Sequence, residues 1–356
     1  MNLLVTTRVD AFIRPGGDTN HLLQTVSALK MLGIDWTSQL DLPRDFSPDL
    51  IHHFNLNRPD QALEILKQFK KAPLVISSIF VDYSEIDQIS NRLRIRLLTK
   101  VLSSSRMEWM KEIARSVMKQ RSWPPKEYLI KGHANSVQQL LNRADLLLVA
   151  SQTEAERIFR IYGVQQLRTE ICLPPVHLTY FSSSFIQREV DVVLCVARFE
   201  PLKNQLQLIK ALNNTRFKLK LIGDSAPNHL NYFKECKEVA NSNIEFYSFQ
   251  SEKELFKEYA SASVHILPSL FETTGLSTLE AMACGCPAVV GGGEEVKEIF
   301  GDRVEYINPK RINSIIPAIE RALLRKKNQK AWVYKKAHPE VIASRLVELY
   351  QKVLSE

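Results

Sequence analysis

A chain of 356 residues with 45% apolar and 24% charged residues can build two ordinary domains with a full core in each. Twelve glycines and sixteen prolines exclude a fibrous or low-complexity chain, and no run of about 18 apolar residues offers a membrane span. The net charge of +8 is concentrated, because residues 91–131 hold eleven Lys/Arg against three Asp/Glu and the remainder balances; this excludes a uniformly basic nucleic-acid binder.

From the N-terminus, Met1–Arg8 lacks the basic and long apolar regions of a signal peptide, so Leu3–Thr6 reads as a strand and the protein is expected in the cytoplasm. Leu50–Phe54, Leu74–Ser77 and Leu146–Ala150 are further short apolar runs with the look of buried parallel strands. Helical spacing follows the first (Leu22, Leu23, Val26, Leu29, Leu32) and precedes the third (Ala62, Leu63, Ile65, Leu66, Phe69). Leu173-Pro174-Pro175-Val176 and Ser182-Ser183-Ser184 then interrupt all periodicity, placing a boundary near residues 174–188. A second series runs Val192–Ala197, Lys218–Ile222, Ile244–Tyr247, Val264–Leu267 and Ala288–Val290, with helical patterns around 206–212, 254–262 and 277–283. Two α/β units of open parallel sheet are predicted. An amphipathic helix from Pro339 to Leu354 closes the chain. The five cysteines are odd in number and scattered, and Cys284 and Cys286 are too close for a zinc knuckle, so neither a disulfide framework nor a metal site is expected.

Ligands of open parallel sheets sit at the C-terminal ends of the strands. After the first strand comes Arg14-Pro15-Gly16-Gly17-Asp18, where paired glycines let backbone amides approach a ligand at a helix start, although a plain turn explains them equally. After Val192–Ala197 comes Arg198-Phe199-Glu200-Pro201-Leu202-Lys203, in which Arg198 can fork onto a phosphate and Lys203, in the first turn of the next helix, adds a point charge; two solvated cations are the alternative. After Val264–Leu267 the chain reads Pro268-Ser269-Leu270-Phe271-Glu272-Thr273-Thr274-Gly275-Leu276-Ser277-Thr278-Leu279-Glu280. Ser277 to Glu280 fits a capping box, which would explain Glu280 without a ligand. Glu272 has no such explanation: in a loop after a buried strand its carboxylate can accept hydrogen bonds from sugar hydroxyls, and Gly275 with the following amides can donate to phosphate.

Together these residues resemble the retaining family 4 glycosyltransferases of the GT-B fold, related to glycogen and sucrose synthases. The resemblance rests on Glu272 and Glu280 separated by seven residues, on Ala281-Met282-Ala283-Cys284-Gly285-Cys286-Pro287 after them, and on the Arg198-x4-Lys203 loop about seventy residues earlier. It extends to Leu221-Ile222-Gly223-Asp224, to Asn243–Leu255 and to Ala144-Asp145 with Ser151-Gln152-Thr153-Glu154, and is weakest over residues 80–140. It implies an N-terminal acceptor-side domain over 1–175, a nucleotide-sugar domain over 189–335, the two facing a cleft, and a final segment 336–356 packing back on the first domain. By the same resemblance Arg198 and Lys203 bind the donor diphosphate, Glu272 the hydroxyls of the transferred sugar and Glu280 those of the ribose. Gly16 and Gly17 border the phosphates, Phe249 receives the nucleobase, and Gly223, Thr274, Gly275 and Leu276 line the donor. Glu272, Arg198 and Lys203 carry catalysis, with no metal and no other cofactor.

Three departures stand out: Thr273-Thr274 replaces the family's Gly-Phe, Pro174-Pro175-Val176-His177 its Asn-Gly-Val-Asp, and Ser77-Ser78-Ile79-Phe80 a stretch that usually holds a histidine. His52 and His53 close a strand and could face the cleft with Asn55, but a histidine at a strand end is more often a packed or solvated side chain. The expected activity is transfer of a sugar from a nucleotide-diphosphate sugar to a saccharide or lipid-linked saccharide, in surface polysaccharide or glycolipid assembly. The alternatives are a nucleotide-sugar epimerase of the same fold and a non-catalytic membrane- or nucleic-acid-binding relative. In residues 91–131 large apolar side chains, Trp109 and Trp123 among them, alternate with the cations, which suits peripheral attachment to an anionic membrane at its inner face; a helical hairpin covering the core is the alternative, and nucleic acid is not expected.

Overall fold

The computed structural model describes residues 1–13, 15–82, 104–118, 123–182, 186–325 and 329–356. It divides into two compact units: Met1–Pro174 with Ile342–Glu356, and Pro175–Val341. Each is built on a six-stranded, wholly parallel sheet.

In the first unit the strands are β1 (Leu3–Thr6), β2 (Trp36–Ser38), β3 (Leu50–Phe54), β4 (Leu74–Ser77), β5 (Leu146–Val149) and β6 (Thr169–Ile171), in the order β2-β1-β3-β4-β5-β6. Alternate side chains of a strand leave opposite faces of its sheet. Leu3 and Val5 accordingly enter one core with Leu22, Val26 and Leu29 of helix α1 (Gly17–Met31), while Leu4 enters a second core with Leu63 and Leu66 of α2 (Pro59–Gln68). Three more helices follow among the described residues: α3 (Ser104–Val117), α4 (Lys126–Arg143), broken at Gly132 by a left-handed φ of 78°, and α5 (Gln152–Tyr162).

The second unit contains β7 (Val192–Val196), β8 (Lys218–Ile222), β9 (Ile244–Tyr247), β10 (Val264–Leu267), β11 (Ala288–Gly291) and β12 (Glu305–Ile307), in the order β12-β11-β10-β7-β8-β9. Its helices are α6 (Gln205–Leu212), α7 (Leu230–Val239), α8 (Glu252–Ser261), α9 (Leu276–Ala283), α10 (Glu294–Phe300), α11 (Ile315–Leu323) and α12 (Lys330–Ala337). The last helix, α13 (Pro339–Ser355), buries Ile342, Leu346, Leu349, Tyr350 and Val353 in the α1-side core of the first unit.

The nine predicted strands all form, with ends shifted by at most one residue. Three strands escape the hydropathy pattern: β2, β6 and β12, each three residues long and at a sheet edge, where one side of the strand is open and side chains are mostly half-buried. Of the basic segment, residues 91–103 and 119–122 lie outside the described residues, as do Arg14, Ser183 and Ser184. Within its described part three of the cations are paired locally: Lys111 with Glu108 at 2.7 Å, Arg115 with the buried Glu112, which Arg58 also meets, and Lys131 with Glu127 at 2.6 Å. Among the described residues no helix is long and apolar enough to cross a membrane.

Candidate functional site

In each sheet the first strand of the unit has neighbours that lead the chain in opposite directions, so the loops after it and after one neighbour diverge and leave a crevice. In the second unit this place lies between β7 and β10. The loop after β7 carries Arg198 and Lys203, and the loop after β10 carries Glu272. Lys203 Nζ donates to Glu272 Oε2 at 2.8 Å across a sequence gap of 69 residues. The same carboxylate accepts from Ser269 Oγ at 3.1 Å and from the Gly275 amide at 3.4 Å.

Backbone fixes the two loops to each other. Leu270 N donates to Leu202 O at 2.8 Å, and Asn204, in the left-handed region at φ 58°, donates from Nδ2 to Pro268 O and Pro309 O. Burial works against the charge of Lys203, but Glu272 and Glu200 outweigh it and hold its pKa above the ordinary lysine value. The Arg198 side chain stays 51% exposed, with one acid, Glu200, at 3.7 Å. A cation at the rim and an ion pair behind it offer positive charge to an incoming anion and a carboxylate to its neighbour.

Gly223, after β8, adjoins Arg198: a Cβ there would lie 2.2 Å from Ala197 O, and its φ of +147° suits glycine alone. Phe249, after β9, is 68% exposed, and its amide donates to Asp224 Oδ1 at 3.2 Å. Arg198, Lys203, Gly223, Phe249, Glu272, Thr274 and Gly275 thus all follow the C-terminal ends of β7 to β10. Gly16 and Gly17 belong to the first unit. Gly16, in extended backbone at φ −142°, precedes α1 and its amide donates to Thr19 Oγ1 at 3.2 Å.

Two local expectations are corrected. Lys203 does not lie in the first turn of a helix: Pro201–Lys203 is a 3₁₀ turn, and the left-handed Asn204 separates it from α6. Nor do Ser277 and Glu280 form a capping box. Helix α9 starts at Leu276, after Gly275 with φ 68°, so both lie inside it. The box occurs one helix before, where Ser251 N donates to Glu254 Oε2 at 2.9 Å and Glu254 N to Ser251 Oγ at 3.4 Å. Glu280 instead accepts the hydroxyl of Tyr259, on α8, at 2.8 Å. Burial raises its pKa to about 7, the Tyr259 hydrogen bond pulling it down and Glu252 pushing it up.

The first unit has its corresponding place between β1, which leads to the Gly16-Gly17 turn, and β3, which carries His52 and His53. Arg8, just after β1, donates from Nε to Asp18 Oδ2 at 2.6 Å and from a terminal nitrogen to Asp18 Oδ1 at 3.1 Å, and a further bond reaches Asp10 at 3.1 Å. Asn55, after β3 with a left-handed φ of 85°, donates to the same Asp18 at 2.9 Å. Its signal was a charge on each side of a glycine pair, at Arg8 and Asp18. His52 and His53 are buried: His52 Nδ1 is 2.6 Å from the Tyr350 hydroxyl and Nε2 2.9 Å from Ser77 Oγ, while His53 Nδ1 is 2.9 Å from Thr6 Oγ1. After β4, at the stretch where the resemblance leads one to expect a histidine, Ser78 Oγ and the Phe80 amide donate to the buried Glu154 at 2.6 and 3.1 Å.

The loop pair of the second unit falls in a stretch with known relatives. Residues 178–338 match the family model for glycosyl transferases group 1. Arg198, Lys203, Gly223, Phe249, Glu272, Glu280 and Tyr259 all lie in this group 1 region. The D-inositol 3-phosphate glycosyltransferase of Mycobacteroides abscessus is 28% identical over 173 residues, which are 44% of this chain and 39% of that protein. The chain thus spans about two fifths of the length of the curated relatives it matches. Among solved structures, sucrose-phosphate synthase of Thermosynechococcus elongatus has a TM-score of 0.72 at 18% identity, covering 99% of each chain. Anabaena HepE, in complex with UDP and glucose, has a TM-score of 0.61 at 17% identity over 98% of this chain and 99% of its own. These likenesses show the fold: α/β, two Rossmann-like parallel-sheet units of the GT-B type, with the group 1 region in the second.

Proposed function

We propose that the chain is a retaining glycosyltransferase of family 4, moving a sugar from a nucleotide-diphosphate sugar to a saccharide or lipid-linked saccharide. The observation that carries this reading is the Lys203–Glu272 pair, which joins the loops after β7 and β10 inside the group 1 region. When the bond from the anomeric carbon to the β-phosphate oxygen breaks, negative charge grows on the departing diphosphate. Arg198 and Lys203 lie where they can hold that charge without a metal ion. Glu272 orients the sugar by accepting from its hydroxyls. The acceptor oxygen attacks from the face that the diphosphate leaves, so configuration is retained, and its proton passes to a leaving phosphate oxygen. No protein nucleophile takes part. HepE was solved with UDP and glucose, which makes UDP-glucose the first donor to try.

The test is incubation of the purified chain with UDP-, GDP-, ADP- and dTDP-sugars without acceptor. Slow release of the diphosphate from one of them, abolished in Lys203→Ala, is expected; no release and no binding with any of the four contradicts the reading.

We infer a lipid-linked acceptor, with the protein held peripherally on the inner leaflet of the cytoplasmic membrane. This rests on the basic excess of residues 91–131 and on Met110, Val117, Met118 and Trp123, which are exposed at and beyond α3. Vesicle co-sedimentation tests it: recovery with anionic vesicles should fall as salt rises and on changing Arg92, Arg94 and Arg96 to Ser, whereas equal recovery with neutral and anionic vesicles contradicts it.

A further inference from the structure

Glu280 differs from Glu272 in how it is held. Among the described residues no Lys or Arg pairs with it, and the hydrogen bond it accepts comes from Tyr259. Tyr259 is fully buried and its ring is clamped edge-on by two others, Tyr180 at 5.7 Å and 84° and His265 at 5.7 Å and 70°. A hydroxyl on a ring that cannot swing points in one direction, and burial among these groups keeps it a donor, its pKa raised far above the ordinary tyrosine value. The partly buried carboxylate is therefore fixed through Oε2, with Oε1 left to a ligand.

We propose that Tyr259 is a positioning residue for nucleotide recognition: by donating to Oε2 it holds Glu280 ionised and oriented to accept the two ribose hydroxyls of the donor. This rests on the donor-site reading above and adds to it the residue that makes the ribose acceptor competent. A vicinal diol donates two hydrogen bonds to an ionised carboxylate, whereas a protonated carboxyl replaces one acceptor with a competing donor. The ionisable groups whose fields reach the pair are Glu252 on α8, Tyr180 on the turn Leu178–Phe181 and Cys284 at the end of α9. His265 on β10 is held neutral by burial, its pKa lowered to about 3. Lys330, at the start of α12, acts on Cys284, and its Nζ donates to Ser182 O at 2.7 Å. Arg188 acts on Cys284 in the same sense and donates to Gly285 O at 2.6 Å. Of the groups that act on Glu280 itself, burial and Glu252 oppose ionisation and the hydroxyl of Tyr259 favours it, and the balance sits close to neutral pH.

The experiment is calorimetric titration of UDP, GDP, ADP and dTDP into the full chain between pH 5.5 and 9, for the wild type, Tyr259→Phe and Glu280→Gln. The phosphate's own titration is common to all three and cancels in the ratio to Glu280→Gln. Against that reference, wild-type affinity for the nucleotide it binds should rise through a midpoint near pH 7. Tyr259→Phe should move the midpoint to higher pH by about one unit, so that affinity is roughly tenfold lower near pH 6.5 and recovers by pH 9. A Tyr259→Phe curve that superimposes on the wild type, or one lowered equally at every pH, overturns the proposal. If Tyr259→Phe does not fold, the wild type decides: a ratio to Glu280→Gln that is flat from pH 5.5 to 8 overturns it. Failure of the wild type to bind any of the four nucleotides is a different outcome, and removes the donor-site reading itself.

Discussion

The two sheets furnish the same topological position with the same ingredients and reach opposite results. Between β1 and β3, Arg8 is enclosed by Asp10, Asp18 and Thr19, and its side chain keeps only 11% exposure. Between β7 and β10, Arg198 is 51% exposed and meets one acid at 3.7 Å. A guanidinium forked onto a covered carboxylate is a latch, because its donors are already used and pulling it away strands a charge. A guanidinium at the rim, backed by a lysine–carboxylate pair, still has donors for a ligand. The difference underlies the proposal that the second unit binds the anion, while in the first Arg8 and Asn55 meet on Asp18 and tie the β1 and β3 loops together. It appears again in the carboxylates: burial opposes the charge of Asp18, but the hydrogen bond and charge of Arg8 prevail and hold its pKa below the usual carboxylate range, whereas Glu280, with only a tyrosine, is raised to about 7.

The comparison can be broken by exchanging its outcomes. The largest effect should come from Lys203→Ala or Arg198→Ala, which leave the departing diphosphate without a cation and should each slow transfer by about 10² to 10³, or about 3–4 kcal/mol, with thermal unfolding little changed. A wild-type rate in either would put the anion site elsewhere. Arg8→Ala should show the reverse. Asp18 is left covered and unpaired, so stability should fall by about 2–3 kcal/mol in urea unfolding, with nucleotide affinity unchanged within about twofold. If nucleotide binding fell instead, the first unit's cluster would be a binding site and the contrast would be lost.

Glu272→Gln should weaken recognition of the donor sugar and spare the free diphosphate, since the amide still accepts from Lys203 but is a poorer acceptor for sugar hydroxyls. Equal losses for the sugar nucleotide and the free diphosphate would merge the two roles. The smallest effect concerns Glu280. Its pKa of about 7 in the fold, against 4.5 for an ordinary glutamate, means that the native state holds more protons between these values, so this group's contribution to stability falls as pH rises from 4.5 to 7. Glu280→Gln removes that dependence. The melting temperature of the variant relative to wild type should therefore be higher at pH 8 than at pH 5; an unchanged difference would show that Glu280 titrates like an exposed carboxylate.

What the sequence reveals follows from burial. Strands such as β3 and β10, buried along their whole length, leave continuous apolar runs, and they were found to the residue. The edge strands β2, β6 and β12 spend much of their surface on solvent, and three residues carry too little pattern to separate from a loop. In the site, the residue types and their positions after strands were legible, because loops at the C-terminal end of a parallel sheet have few structural reasons to hold Arg198, Lys203 and Glu272. The bond between Lys203 and Glu272 was not, since nothing local links residues 69 apart. Tyr259 was hidden for the opposite reason: next to Leu255 and Phe256 it reads as one more core residue of an amphipathic helix, and its hydroxyl becomes informative only when α9 brings Glu280 to it. The supposed capping box misled because a left-handed Gly275, not Ser277, precedes α9, which starts two residues earlier than the Ser-x-x-Glu pattern suggests.

Titrating UDP, GDP, ADP and dTDP into the wild type, Lys203→Ala and Arg8→Ala at neutral pH tests whether the crevice between β7 and β10 holds the donor diphosphate while the one between β1 and β3 is a latch. The wild type should bind at least one of them, Lys203→Ala should lose more than about tenfold in affinity for it, and Arg8→Ala should match the wild type. Wild-type affinity in Lys203→Ala, or an equal loss in Arg8→Ala, would contradict it.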